Sequence, residues 1–294
     1  MMTDRSPLGC QRDWIWRGWR VRYTYLPHHS SEDAPYLFLH GFGASLRQWQ
    51  ENLLPLSQHR RVYAMDLVGF GGSEKATAPY KIGFWVEQVY HFWKTFIQRP
   101  MVLVGHSLGA LVALTAAIAH PDMLENLILI TLPAARQELL PTLPLWLQSL
   151  AGEMESAFAS PLLIKPLFQI IRQPRVIRSV LRKIYVQGDR VTEALVESFI
   201  EPARDRGAAA TLTRLTKART RNDFSQLTRD LLPQVEVPIL VIWGTEDRVI
   251  PLAWGRQLPG LSDRVTLVEI PNGGHCVYDE CSAQVNAEIL AWLR

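Results

Sequence analysis

The chain has 294 residues, 48% of them hydrophobic and 20% charged, with a formal net charge of +3. That is enough apolar material for the core of one α/β domain carrying an insertion, and the charge is too nearly balanced to point to nucleic acid. The three cysteines, Cys10, Cys276 and Cys281, show no CxxC spacing, which argues against a disulfide framework or a zinc site and for a reducing, intracellular compartment.

In chain order, "MMTDRSPLGCQRDW" has an early acid and no apolar run, so no signal peptide is expected. "DWIWRGWRVRYTYL" alternates apolar and polar residues around Arg17-Gly18 and predicts a β-hairpin. Short apolar strands are expected at 36–40, 61–66, 101–105, 126–131, 238–244 and 265–270. Helices are expected at 45–57, 82–98, 108–119, 251–258 and 279–293. Buried strands alternating with helices predict a mainly parallel sheet covered on both faces. The uncharged run "MVLVGHSLGALVALTAAIA" (101–119) has the length of a membrane span. Its glycines and the flanking Pro100 and Pro121 instead predict a strand followed by a buried helix, with no transmembrane segment.

Residues 133–221 carry helical runs without a convincing strand. They are expected to form a helical cap inserted into an α/β core made of 1–132 and 222–294. The cap is rich in Leu143, Leu145, Trp146, Leu147, Leu150, Phe158, Leu162, Leu163 and Phe168. Trp146, Phe158 and the core residue His106 are the candidate pocket residues. Between 136 and 221 there are fourteen Lys/Arg against eight Asp/Glu, and Arg175, Arg178 and Arg182 recur at helical spacing. A basic amphipathic cap suggests peripheral contact with an anionic membrane surface.

Gly105-His106-Ser107-Leu108-Gly109 is a G-x-S-x-G between an apolar strand and a helix. On such a turn the serine hydroxyl stands clear of the sheet, and the glycines permit close contact with neighbouring elements. A serine needs a base to take its proton. Among eight histidines, His275 in "PNGGH" directly follows the last strand, at the edge where parallel strands end. The acid that orients it is expected after the strand 238–244, where "GTEDRVIP" offers Asp247, with Glu246 as the alternative. Two N–H donors should hold the oxyanion, from Leu108 and from Phe42 in "HGFGAS". Cys276 lacks a second soft ligand, so neither a metal nor a cofactor is expected. Asp279 and Glu280 are expected to cap the final helix.

The succession "LHGFGAS", "DLVGFGGS", "GHSLG", a helical insertion, "WGTEDRVIP" and "GGHC" resembles the α/β-hydrolases over nearly the whole chain. "DLVGFGGSEK" resembles the epoxide-hydrolase and dehalogenase-like branches, but those carry aspartate where this chain has Ser107, so the resemblance implies ester chemistry instead. "GGHCVYDE" is similar to the H-C-x-x-D-E segment of the pheophytinases and chlorophyll dephytylases, as are "IYVQGDRVTEALVESF" and "RGAAATL". His106 and His40 depart from that group, which has asparagine and proline there. The resemblance implies a lipophilic ester substrate, chlorophyll or pheophytin foremost, and by extension contact with a thylakoid membrane. Two rival expectations are a general carboxylesterase or acyl-lipid hydrolase, and a non-catalytic ligand-binding protein on the same fold.

Overall fold

The computed structural model describes residues 8–28, 32–135, 138 and 161–294, without the side chains of 161–165. Its centre is one eight-stranded sheet in the order β1-β2-β4-β3-β5-β6-β7-β8. Strands β1 (Cys10–Trp16) and β2 (Trp19–Leu26) are antiparallel, and β2 is antiparallel to β4 (Val62–Met65). The others run parallel: β3 (Tyr36–Leu39), β5 (Met101–His106), β6 (Leu124–Ile130), β7 (Ile239–Gly244) and β8 (Val265–Ile270). The hairpin turns where expected, with Arg17 and Gly18 at φ 52 and 83, the left-handed pair that tight hairpins need.

The continuous apolar strands are explained by burial on both sides. Leu37, Leu39, Met101 and Leu103 face a layer containing α2 (Ile82–Phe92) and α3 (Leu108–Ala119). Their alternates Tyr36, Phe38, Val102 and Val104 face α1 (Gln50–Ser57) and the final helix, residues Ser282–Trp292. The run 101–119 therefore divides into β5 and α3, and among the described residues no helix is long and apolar enough to cross a membrane.

Several expected helices are shorter than their patterns. The span 82–98 is α2 to Phe92 and then a wider turn, Trp93–Ile97, ended by Gln98 at φ 56. The span 251–258 contracts to a single turn, Leu252–Gly255, and 279–293 is split at Cys281 into Val277–Glu280 and the final helix. Between β6 and β7 the described residues form α4 (Pro161–Ile171), α5 (Pro174–Ile184), α6 (Glu193–Ala203) and α7 (Ala208–Arg219). Leu181 and Tyr185, at the end of α5, and Val196 of α6 pack into the same cluster as Phe38 and Val104. Arg178 of α5 pairs with the exposed Glu193 at the start of α6.

Candidate active site

Sheet order alone puts the site between β3 and β5. The chain runs from β3 outward to β4, then returns to the other side of β3 as β5. At such a reversal the loops after the two strands diverge and leave a crevice. The loop after β3 is "HGFGAS", and β5 leads into Ser107. They meet: a Cβ on Gly41 would stand 3.5 Å from Ser107 Cβ.

Ser107 has φ 51 and ψ −112, a conformation that costs a non-glycine residue energy and that the surroundings must impose. The flanking glycines are required for a physical reason. A Cβ on Gly105 would overlap the Gly109 carbonyl, and one on Gly109 would overlap the Leu39 carbonyl on β3. The Ser107 N–H donates to Ile130 O at 3.0 Å and the Ser107 carbonyl accepts from Ala110 at 2.9 Å. The turn is thereby pinned between β6 and the first turn of α3. Leu108 opens α3, so its N–H is among those that a helix start leaves without an intrahelical partner.

His275 follows β8, its side chain 10% exposed, and its Nδ1 lies 2.9 Å from Asp247 Oδ2. The carboxylate can only accept, so Nδ1 carries the hydrogen and Nε2 keeps its lone pair. Asp247 is fixed in turn, because Oδ1 accepts from the N–H groups of Val249 at 2.7 Å and Ile250 at 2.9 Å. Glu246, the alternative acid, is exposed to solvent. A half-buried serine on a strained turn, with an imidazole–carboxylate pair at the same sheet edge, is chemically equipped for nucleophilic attack with general-base assistance.

His106, the candidate pocket residue on the core, is 3% exposed, with its ring 4.8 Å from that of His275 and 4.7 Å from that of Tyr278. Its Nε2 donates to the His275 carbonyl oxygen at 3.0 Å, because the strand's last side chain is turned back beneath the His275 loop. Phe42 is partly buried; its ring rests on Phe70 at 5.4 Å and beneath the Arg219 guanidinium of α7 at 4.9 Å. Trp146 and Phe158, with most of the apolar residues expected in a cap, lie outside the described residues; Phe168 is buried.

Asp279 and Glu280 do not cap the final helix, which corrects that expectation. Both are 6% exposed. Asp279 accepts from Tyr185 Oη at 2.8 Å and from Arg190 at 2.7 Å, and Glu280 accepts from the N–H groups of Val186 and Gln187. They clasp the segment that leaves α5. Burial pushes the Cys276 thiol up to about 12, far from the thiolate that a nucleophile or metal ligand requires.

Two residues with a structural hold on the site were not foreseen. Asp66, buried after β4, accepts from Leu46 N–H and Gly72 N–H, both at 2.6 Å, and so ties the loops after β3 and β4 together. Buried His40 takes the Leu67 N–H on Nε2 at 3.0 Å and donates from Nδ1 to Gly41 O at 2.8 Å. The signal available was the "DLVGFGGS" turn, where a lone acid precedes three glycines. A polar cleft lined by Arg20, Arg22, Asp66, Glu201 and Asp205 includes none of Ser107, Asp247 or His275, and Asp66's oxygens are already occupied there.

The chain belongs to the alpha/beta hydrolase fold family, whose sequence profile matches residues 35–281. It is similar to the dihydrolipoyllysine-residue acetyltransferase component of the acetoin cleaving system of Pseudomonas putida, at 30% identity, covering 89% of this chain and 64% of that protein. Chloroplastic pheophytinase of Arabidopsis thaliana is 25% identical, over 89% of this chain and 62% of the relative. The chain thus spans a little under two thirds of the length of these two relatives. In fold it is similar to a serine hydrolase involved in carbazole degradation, with a TM-score of 0.77, 20% identity and coverage of 97% and 98% of the two chains.

Proposed function

We propose that the protein is a serine hydrolase that cleaves the carboxylic ester of a lipophilic substrate through an acyl-enzyme. The observation that carries the reading is the 2.9 Å bond between His275 Nδ1 and Asp247 Oδ2, which leaves Nε2 as the proton acceptor at the sheet edge where half-buried Ser107 stands on its strained turn. Ser107 Oγ attacks the carbonyl carbon while His275 takes the hydroxyl proton. The N–H groups of Leu108 and Phe42 receive the oxyanion. As the C–O bond breaks, His275 gives the proton to the departing alkoxide and the acyl group remains on Ser107. Water, deprotonated by His275, then releases the acid and restores the serine. Asp247 keeps the imidazole in the right tautomer and stabilises its cation. These steps use no metal and no cofactor.

The leading substrate is a phytyl ester of a chlorophyll-type pigment, with residues 133–221 as the cap over it. The "HCVYDE" segment and the similarity to pheophytinase support this choice. So does the energetics, since each buried methylene of a long chain contributes about 0.8 kcal/mol. The basic cap would meet the membrane that holds such a pigment.

The test is incubation with chlorophyll a and pheophytin a in detergent, chromatography of the products, and Ser107→Ala as control. Chlorophyllide or pheophorbide from wild type alone is expected. Cleavage of p-nitrophenyl esters through Ser107 without pigment turnover would replace the pigment by a general ester or acyl lipid. Failure to turn over any ester or to react with a fluorophosphonate probe would leave a non-catalytic binding protein.

A further inference from the structure

The backbone around His275 is held from two sides. Glu280 Oε1 accepts from the N–H of Gly274, the residue just before His275, at 3.1 Å. Its Oε2 accepts from Val186 N–H at 2.6 Å and Gln187 N–H at 3.0 Å. A single buried carboxylate therefore grips both the catalytic loop and the segment leaving α5. The approach is close: a Cβ on Gly274 would stand 2.7 Å from Glu280 Oε1 and 2.9 Å from Ile184 O. On the far side of His275, its carbonyl is held by His106 Nε2 at 3.0 Å.

We infer that Glu280 is a positioning residue for His275, and that it couples docking of the cap segment 184–187 to the placement of the base. The inference rests on the hydrolase reading above. Its chemical basis is that a carboxylate accepts on both oxygens, and here both are used. A glutamine has one acceptor oxygen and one –NH2. Whichever way it turns, Glu280→Gln sets a donor against either Gly274 N–H or the Val186 and Gln187 N–H pair. Burial pushes the Glu280 carboxyl up, and the three N–H groups draw it back.

The test compares full-length wild type with Glu280→Gln, Tyr185→Phe and Ser107→Ala. Tyr185→Phe removes the hydroxyl that bonds Asp279 and reaches the Cys276 thiol, but leaves all three bonds to the Glu280 carboxylate in place. Glu280→Gln is expected to lower kcat by about 10²-fold with KM nearly unchanged, because small misplacements of a catalytic group carry penalties of that order. It should slow fluorophosphonate labelling of Ser107 by a similar factor and shift the proton resonance of His275 Nδ1–H. Tyr185→Phe should change none of these by more than about twofold. A folded Glu280→Gln with wild-type kcat, labelling rate and resonance would overturn the inference. So would equal kcat losses in Glu280→Gln and Tyr185→Phe with the resonance unmoved, which would make Glu280 a tether only. Should Glu280→Gln not fold, Glu280→Asp, one methylene shorter, must show the same pattern. Wild type that neither turns over esters nor takes the label would remove the hydrolase reading itself, whereas active wild type with an unaffected variant would sink this inference alone.

Discussion

At Ser107 the chain accepts a costly backbone conformation because Gly105 and Gly109, two residues to either side, have no Cβ to clash with their neighbours. Adding one is expected to be destructive. Gly109→Ala places a methyl against the Leu39 carbonyl and should cost about 1–3 kcal/mol in a denaturant titration, with loss of esterase activity as the turn shifts. The two acids of "GTED" should separate cleanly in kinetics. Asp247→Asn offers His275 a neutral amide and the wrong tautomer, so kcat should fall by about 10⁴-fold. Glu246→Gln, at an exposed position, should leave kcat at the wild-type level. Equal effects would mean that Asp247 does not orient the base.

The buried histidines also set a pH dependence. Burial holds His40 below its ordinary value near 6.5, and burial followed by the neighbouring His275 holds His106 well below it. Below about pH 6.5 the unfolded chain takes up protons at these positions and the folded chain does not. Stability from these two groups is therefore full above that pH and lost as pH falls beneath it, by about 1.4 kcal/mol per pH unit for each group. The carboxyls of Asp66 and Glu280, which burial pushes up, act in the opposite sense at lower pH. His106→Asn keeps an amide donor for the His275 carbonyl and removes one titrating ring. Its stability–pH slope about one unit below pH 6.5 should be shallower by roughly 1.4 kcal/mol per unit. An unchanged slope in urea titrations at stepped pH would show that His106 protonates within the fold.

At the scale of elements, apolar runs and glycine punctuation were enough to find the strands, because a buried parallel strand has no polar face to confuse the pattern. The ends of helices were less legible. Nothing in the sequence 279–293 marks the break at Cys281, since it is imposed by Asp279 and Glu280 turning away to clasp the segment after α5. Read locally, two acids before a helix suggest capping; tertiary partners nearly a hundred residues earlier decide otherwise. Glu138 is a similar case. It accepts from Ala135, Thr228 and Arg229 N–H groups and so joins the segment that follows β6 to the one that precedes β7. The clasp itself has a measurable worth. Tyr185→Phe deletes a buried hydroxyl's bond to Asp279 and should lower unfolding free energy by about 1–2 kcal/mol, while a change below a few tenths would show the bond to be dispensable.

At the scale of the whole molecule, the sheet order explains why residues as distant as Phe42, Ser107, Asp247 and His275 were recognisable together. Each follows the carboxyl end of a parallel strand, β3, β5, β7 and β8, and parallel strands deliver those ends to one edge. His106 was not legible in the same way, because its direction depends on how the loop after β8 folds back over β5. The central claim is that Ser107, served by His275, forms a covalent acyl intermediate, and the most direct measurement is to trap it. The protein would be mixed with a slowly deacylated p-nitrophenyl ester, quenched in acid within the burst phase, and its peptides weighed by mass spectrometry. The account predicts near-stoichiometric acylation on the peptide containing Ser107, absent in Ser107→Ala. Steady turnover without an adduct, or an adduct on Cys276 or another residue, would contradict it.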